Sequence, residues 1–215
     1  MLIRIACLAI GYLCGLIQTS YIIGRIKGID IRKQGSGNAG TTNAFRTMGK
    51  KAGALTFICD VLKCLLAGFL CQLIFGGAHP EMVPLMGMYA GAGTILGHNF
   101  PVYLGFKGGK GIACSMGLAI LIDWKIALMI LIVFPTVFLV SKYVSLASMT
   151  CYIIAMTMVL VMGALGCFGM SSSLQLEMDA VMIALTVLAF YRHRANIRRL
   201  IAGTENKMDL FKKKK

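Results

Sequence analysis

The chain has 215 residues, 58% of them hydrophobic and only 14% charged, with a formal net charge of +14. Globular proteins average about 45–50% apolar and about 25% charged, so an ordinary water-soluble domain is excluded. A soluble nucleic-acid binder is excluded with it, because the basic residues have no broad polar surface to sit on.

The apolar material arrives in runs close to the ~20 residues a helix needs to cross a bilayer. Candidate spans, in chain order, are 2–24, 53–75, 83–100, 111–122, 125–141, 145–168 and 178–191. The run at the start has no small-x-small cleavage site after it, continuing through Gln18, Thr19, Ser20 and Tyr21, so it reads as a retained first span. The fourth is too short to cross unaided and is expected to tilt, thin the bilayer or pair with the fifth as a hairpin. A five-span alternative treats 111–141 as one crossing and another segment as re-entrant.

Charge favours seven. Of 22 Lys and Arg, seven fall between Arg25 and Lys51 and nine from Arg192 onward, with Lys107, Lys110 and Lys142 in short breaks. Only Arg4 and Lys125 occupy breaks of the opposite parity. Lys and Arg accumulate in cytoplasmic loops, so loop 25–52, loop 101–110 and tail 192–215 share the cytoplasmic side. The expectation is an all-α integral membrane protein with about seven transmembrane helices, N-terminus outside and C-terminus cytoplasmic. It forms one polytopic domain over 1–215, with a basic tail over 205–215 whose tetralysine anchors to anionic lipid.

The external breaks are 76–81, Asp123-Trp124 and 169–179; they are short and weakly acidic, and Trp124 suits an interfacial anchor. Eight cysteines sit mostly within apolar runs and form no CxxC pair, so they read as small buried side chains rather than bridges or metal ligands.

Three polar segments carry chemistry. The first, 30–46, reads DIRKQGSGNAGTTNAFR. Gly35, Gly37 and Gly40 match GxGxxG formally, but a dinucleotide fold needs a preceding strand and a later acidic residue; here the glycines follow a membrane span. What survives is local physics. Glycines let backbone N–H groups turn toward an anion, Ser36, Asn38, Thr41, Thr42 and Asn43 add short polar side chains, and Arg46 can clamp phosphate bidentately.

The second segment, 97–111, reads GHNFPVYLGFKGGKG. It is no Walker loop, since Leu104 and Gly111 stand where Gly and Ser or Thr are required. It is a glycine-rich turn with two lysines that opens into a helix at about Ile112, a ready anion site. His98 is compatible with a general base, an anion ligand or a packed structural residue. In the third segment, FYRHRANIRRLIAGTENK, the arginines suit a positive-inside boundary. His193 and Asn196, three apart, share a helical face, and Glu205 suits an organiser of the basic cluster. Asp60 and Lys63, inside the second span, are also three apart. Each would cost about 2.5–3.5 kcal/mol alone at the bilayer centre, so they pair, either for packing or for substrate contact.

Together GSGNAGTTNAFR, GHNFPVYLGFKGGKG and HRANIRRLIAGTENK resemble, in order, spacing and loop side, the three cytoplasmic motifs of the bacterial acyl-phosphate:glycerol-3-phosphate acyltransferases, the PlsY family. The DVLK of the second span resembles the family too, so the resemblance covers nearly the whole chain. It implies a seven-helix fold with its N-terminus outside. It also implies transfer of a fatty acyl group from acyl phosphate to the 1-position hydroxyl of sn-glycerol 3-phosphate. The products are lysophosphatidic acid and inorganic phosphate, in the first acylation of bacterial phospholipid synthesis. The implied location is the bacterial cytoplasmic membrane, with bilayer lipid around the protein and a functional link to an enzyme that makes acyl phosphate. Neither cofactor nor metal is implied, and acyl-CoA and acyl-carrier protein are not direct donors.

By the same resemblance Ser36 and Arg46 match the essential Ser and Arg of the first motif, beside Gly37, Asn38, Thr41, Thr42 and Asn43. Gly105, Lys107, Gly108, Gly109, Lys110 and Gly111 match the glycerol phosphate loop. His193 and Asn196 match an activity-related pair, with Glu205 the structural acid; Thr41 replaces the Ala of many members. Acyl phosphate is an activated anhydride, so positioning and charge stabilisation on the leaving phosphate suffice without a covalent intermediate. Ser36, His98 or the substrate's own phosphate could take the hydroxyl proton. The last is favoured, because no His–carboxylate dyad is visible in the sequence. The His-x4-Asp signature of CoA-dependent acyltransferases is absent: Tyr103, Pro84 and Arg198 stand at that distance from His98, His79 and His193. A transporter for a phosphorylated anion is the rival from another class, and a non-catalytic lipid-binding scaffold a second. The transporter lacks support from repeated halves.

Overall fold

The structure, a computed structural model, describes residues 1–208. The expected tetralysine anchor lies outside the described residues. Ten α-helices and three short 3-10 turns account for the described secondary structure.

The first span is not one rod. Helix α1 (Leu2–Gly15) breaks, and α2 (Thr19–Ile26) resumes after three residues. Carbonyls freed inside a membrane must find partners, and two buried side chains supply them. The Gln18 amide donates to the carbonyls of Gly15 (3.2 Å), Gly97 (3.4 Å) and His98 (3.1 Å). Lys63 Nζ donates to the Ile17 carbonyl at 2.7 Å.

Loop 25–52 contains structure that was not anticipated: a 3-10 turn at Ile31–Lys33 and the amphipathic helix α3 (Thr41–Met48). Then come α4 (Lys50–Phe75) and α5 (Val83–Asn99), whose early Pro84 occupies a first-turn position where no N–H is needed. Helices α1 and α5 pack through paired small residues, Gly11 and Gly15 against Gly93 and Gly97. A Cβ on Gly11 would lie 2.1 Å from the Ala90 carbonyl oxygen, and one on Gly97 would lie 2.2 Å from that of Tyr12. This is the GxxxG mode, in which close backbone approach replaces a hydrophobic drive that lipid cannot provide.

Helices α6 (Ile112–Ile122) and α7 (Trp124–Ser141) are separated by Asp123 in extended conformation, whose carboxylate caps α7 at the Lys125 N–H (2.7 Å). Ile112 and Phe134 line one cleft, so α7 folds back along α6 and 111–141 is a hairpin rather than one rod. Helices α8 (Val144–Ala164), α9 (Ser172–Arg192) and α10 (Arg194–Ile201) complete the chain. The last long helix begins six residues earlier than expected, taking in Glu177 and Asp179, which the sequence had suggested as loop. The partners of Glu177 explain this: it accepts from Arg4 (2.7 Å) and from the Tyr89 hydroxyl (2.7 Å), tying α1, α5 and α9 at one end.

Among the described residues, five segments are long and apolar enough to cross a membrane: Leu2–Ile26, Lys50–Phe75, Trp124–Ser141, Val144–Ala164 and Ser172–Arg192. Large aliphatic and aromatic side chains such as Leu62, Phe69 and Leu73 face outward, while Cys64, Ala67 and Cys71 of the same helix are buried. All eight cysteines are free thiols. Only Cys167 is exposed, in the connection before α9, at the end of the bundle that holds the Arg4–Glu177 pair.

Candidate active site

At the opposite end the three polar segments converge. Asp30 opens the first, capping the 3-10 turn through the Arg32 N–H (3.0 Å) and pairing with its guanidinium (2.8 Å). That side-chain pairing holds the Asp30 carboxyl down at about 2. Arg32 also lies over the Tyr21 ring (5.1 Å) and donates to the Leu104 carbonyl (3.3 Å), joining the first segment to the second.

Buried Asn43 shapes the Ser36 loop. Its amide donates to the carbonyls of Ile31 (3.1 Å) and Gln34 (2.9 Å), and its oxygen accepts from the Ser36 N–H at 2.9 Å. With its backbone held, Ser36 is left exposed at the mouth of the site, as is Gly37, while Asn38 is half-buried. Thr41 and Thr42 form the first turn of α3, which has no side-chain cap, so its free N–H groups face outward. A Cβ on Gly40 would stand 4.0 Å from Gly109 Cα, so the first and second segments touch. Arg46, on the same helix, is half-buried and feels Glu205 and Arg199 of the third; burial draws its guanidinium pKa down.

The second segment doubles back over the end of α5, with Gly108 N–H donating to the Asn99 carbonyl (3.2 Å) and Gly109 N–H to that of His98 (3.0 Å). Gly105 and Gly111 take left-handed φ values of 62° and 77°. A Cβ on Gly109 would stand 2.0 Å from His98 Nε2, so only glycine fits. Helix α6 starts at Ile112 as expected, again without a side-chain cap. The two lysines part company: Lys107 is exposed, whereas Lys110 is half-buried and hydrogen-bonded to Asn196.

The third segment supplies the clamp. Arg192 donates to the Gly109 carbonyl (2.6 Å) and stacks on the Phe100 ring (5.0 Å). His193 is the junction between α9 and α10, and its Nδ1 donates to the Ala189 carbonyl at 2.8 Å, leaving Nε2 as a lone-pair acceptor. Burial pushes its pKa to about 4, with Lys110 adding to the effect, so the ring is neutral at ordinary pH. Glu205 accepts from Ser145 (3.0 Å), Asn196 (2.6 Å) and Arg199 (2.7 Å). Burial would raise its pKa, but these three donors overcome that and hold it below its usual value. Burial also pushes Lys110 down to about 8, with Arg199, Arg192 and Arg46 contributing repulsion against the attraction of Glu205.

Beneath the glycine loop the Asp60–Lys63 pair expected from its spacing is joined by His98, which the sequence could not place there. Lys63 Nζ is ion-paired with Asp60 Oδ1 (2.7 Å) and hydrogen-bonded to His98 Nδ1 (2.9 Å). His98 Nδ1 is also 3.5 Å from Asp60 Oδ1, so a histidine and a carboxylate do stand together, with the ammonium between them in bonding terms. Asp60, His98 and Cys114 have ligand-type atoms within 4.8 Å of one another. Lys63 already occupies the first two, so the grouping is organised around an ammonium.

Arg192 and Asn99 were not singled out in the sequence, although both lie within the quoted segments. Asn99 is fully buried with neither amide atom partnered among the described residues, and Arg192 Nε and Thr41 Oγ are likewise unpaired. Buried polar atoms without partners are few in native proteins. These four atoms, on one residue from each of the three polar segments, leave hydrogen-bonding capacity unspent at the end of the bundle that holds two uncapped helix N-termini and several cations.

Known proteins agree. Residues 5–203 match the family model described as Glycerol-3-phosphate acyltransferase. The chain is 43% identical over 202 residues to a glycerol-3-phosphate acyltransferase of Clostridioides difficile (strain 630), covering 93% of this chain and 92% of that one. It is 39% identical to one of Endomicrobium trichonymphae across the whole of both chains. A crystal structure of PlsY (YgiH), an integral membrane glycerol 3-phosphate acyltransferase in its glycerol 3-phosphate form, superposes with a TM-score of 0.81 at 34% identity, covering 97% of this chain and 99% of that one. Its lysophosphatidic acid form gives 0.79 at the same identity, over 96% and 95%. With its fold and its sequence both matched over nearly the whole chain, the chain is a multi-pass membrane acyltransferase that belongs to the glycerol-3-phosphate acyltransferase family.

Proposed function

We propose that this single catalytic unit transfers a fatty acyl group from acyl phosphate to the 1-position hydroxyl of sn-glycerol 3-phosphate, the first acylation of bacterial phospholipid synthesis. It would act at the cytoplasmic face of the bacterial cell membrane, crossing seven times with its N-terminus outside. One juxtaposition carries the reading: the cationic loop site adjoins an apolar cleft. The cleft lies between α6, α7, α8 and α9; it begins at Ile112 and Ser115, directly after Gly111, and runs down to Val159 and Met182. A substrate with a phosphate head and a long apolar tail needs both halves at once.

The chemistry balances without a cofactor. The glycerol hydroxyl oxygen attacks the acyl carbon, the bond from that carbon to the phosphate oxygen breaks, and the leaving phosphate keeps the electron pair. A substrate phosphate takes the hydroxyl proton, giving lysophosphatidic acid and inorganic phosphate. Arg46, Lys110 and the free N–H groups of α3 and α6 stabilise the phosphates, and Lys107 at the rim attracts the incoming dianion. Ser36 and the His193–Asn196 pair orient the reacting groups. Asp60 and Lys63 support the loop from beneath, and Glu205 holds Asn196 and Arg199 in place.

Purified protein supplied with palmitoyl phosphate and glycerol 3-phosphate is expected to release phosphate and form lysophosphatidic acid in equal amounts. Palmitoyl-CoA should not replace the donor, and Ser36→Ala and Arg46→Ala should each lose on the order of 100-fold or more in turnover, the scale of one lost transition-state contact. Equal turnover with palmitoyl-CoA would overturn the donor assignment. Absence of turnover, with phosphate flux across liposomes, would replace catalysis by transport.

A further inference from the structure

We infer that His98 donates a hydrogen bond to the anionic oxygen in the site rather than accepting a proton from the nucleophile, and that Lys63 is the positioning residue that fixes it in this role. The inference deepens the acyltransferase reading above and rests on it for the identity of the anion.

A lysine ammonium has three donors and no acceptor. Lys63 spends one on the Ile17 carbonyl, at 2.7 Å, where α1 breaks. It is paired with the Asp60 carboxylate at 2.7 Å, which keeps it charged, and it reaches His98 Nδ1 at 2.9 Å. That nitrogen must therefore be the lone-pair nitrogen of the ring. The alternative, an Nδ1–H aimed at Asp60, would span 3.5 Å, beyond ordinary N–H···O bonding, and would set two protons against each other at the Lys63 contact. The single ring proton of neutral His98 is then on Nε2, and such a nitrogen cannot act as a base.

The geometry also says where this donor points. His98 Nε2 lies against Gly109, where a Cβ would approach within 2.0 Å. It makes no hydrogen bond among the described residues, although the backbone around it is fully engaged. The His98 carbonyl accepts from Gly109 N–H, and the Gly109 carbonyl from Arg192. Without a side chain at Gly109, Nε2 is left uncovered on that side, and the oxygen it donates to is assigned there. A full positive charge bonded to the far side of the ring polarises the Nε2–H bond, and low local dielectric magnifies the effect. Ring tautomers are set by what the other nitrogen bonds, and the second histidine of the site shows the opposite case. His193 gives its Nδ1 proton to the Ala189 carbonyl and keeps an acceptor at Nε2. One imidazole is built to give, the other to receive.

The test has a spectroscopic arm and a rescue arm. With histidine labelled by nitrogen-15, and His98 assigned by its loss in His98→Gln, the wild-type protein should show an unprotonated Nδ1 and a protonated Nε2. Lys63→Met should abolish that tautomer. Glutamine can place an amide N–H where Nε2 stands. His98→Gln should therefore retain turnover within about tenfold of wild type and His98→Ala should lose about 100–1,000-fold, the range seen for one oxyanion donor. Affinity for inorganic phosphate, read by calorimetry, should follow the same order. A protonated Nδ1 in the wild type, or a His98→Gln variant as poor as His98→Ala, would overturn the inference. If the tautomer and the phosphate affinities hold while palmitoyl phosphate is not turned over, the acyl phosphate reading fails and the hydrogen-bond assignment of His98 stands.

Discussion

Lys110 is the residue at which the site's electrostatics become measurable. Its ammonium, pressed down to about 8 by burial and neighbouring arginines, is charged at neutral pH and neutral well above 8. A bound phosphate favours the charged form, so binding above pH 8 must be accompanied by proton uptake and grows weaker as the pH rises. Affinity for glycerol 3-phosphate is therefore expected to decline through pH 8–9 in the wild type. Lys110→Arg, which stays charged, should push the decline beyond that window; an unchanged profile in calorimetric titrations would remove Lys110 as its source. At this scale the sequence was informative wherever chemistry is written in short range. Ser36, Arg46, Lys110, Asn196 and Glu205 are all found at one end of the bundle, within contiguous motifs. It was silent on pairs made only by packing. The Asp60–Lys63 pair was expected from its spacing, but nothing in the sequence shows that α5 brings His98 within 3.5 Å of it. Gln18 and Asn99 look like ordinary polar residues until their burial is seen.

Among the elements, the long apolar runs declared themselves because lipid demands length and apolarity together, and the hairpin of α6 and α7 was one of the expected outcomes. Less legible was α3, whose polar, mixed composition reads as loop; its helix is amphipathic and rests its Asn43 and Ala44 side inward. The break between α1 and α2 was hidden for a related reason, since hydropathy runs unbroken through Leu16 and Ile17 while the backbone does not. That break depends on side-chain substitutes for ladder bonds. Gln18→Leu keeps hydropathy but removes the donor from three carbonyls. It should cost about 1–3 kcal/mol, the scale of an unsatisfied buried group. Reversible denaturation in detergent would measure this, and a stability equal to wild type would show that the carbonyls find other partners.

For the whole molecule, the position of the apolar cleft relative to the charged loops makes chain length a structural variable. Ala155 on α8 lies midway along the cleft and is buried. Ala155→Phe should fill the lower half. The ratio of kcat/KM for octanoyl phosphate over palmitoyl phosphate is expected to rise at least about tenfold, which corresponds to about 1.4 kcal/mol of lost contact with the longer tail. An unchanged ratio would place the tail elsewhere.

The lone exposed thiol, finally, makes the molecule its own compass. Cys167 lies at the end of the bundle remote from the three polar loops, while the other seven thiols are shielded to varying degrees inside the helices. A charged maleimide that cannot pass the bilayer should modify the protein in intact spheroplasts at that one position. Cys167→Ser should abolish the signal, and a cysteine introduced at Lys107 of the Cys167→Ser protein should react only after the cells are opened. The reverse pattern would turn the whole active site to the other side of the membrane.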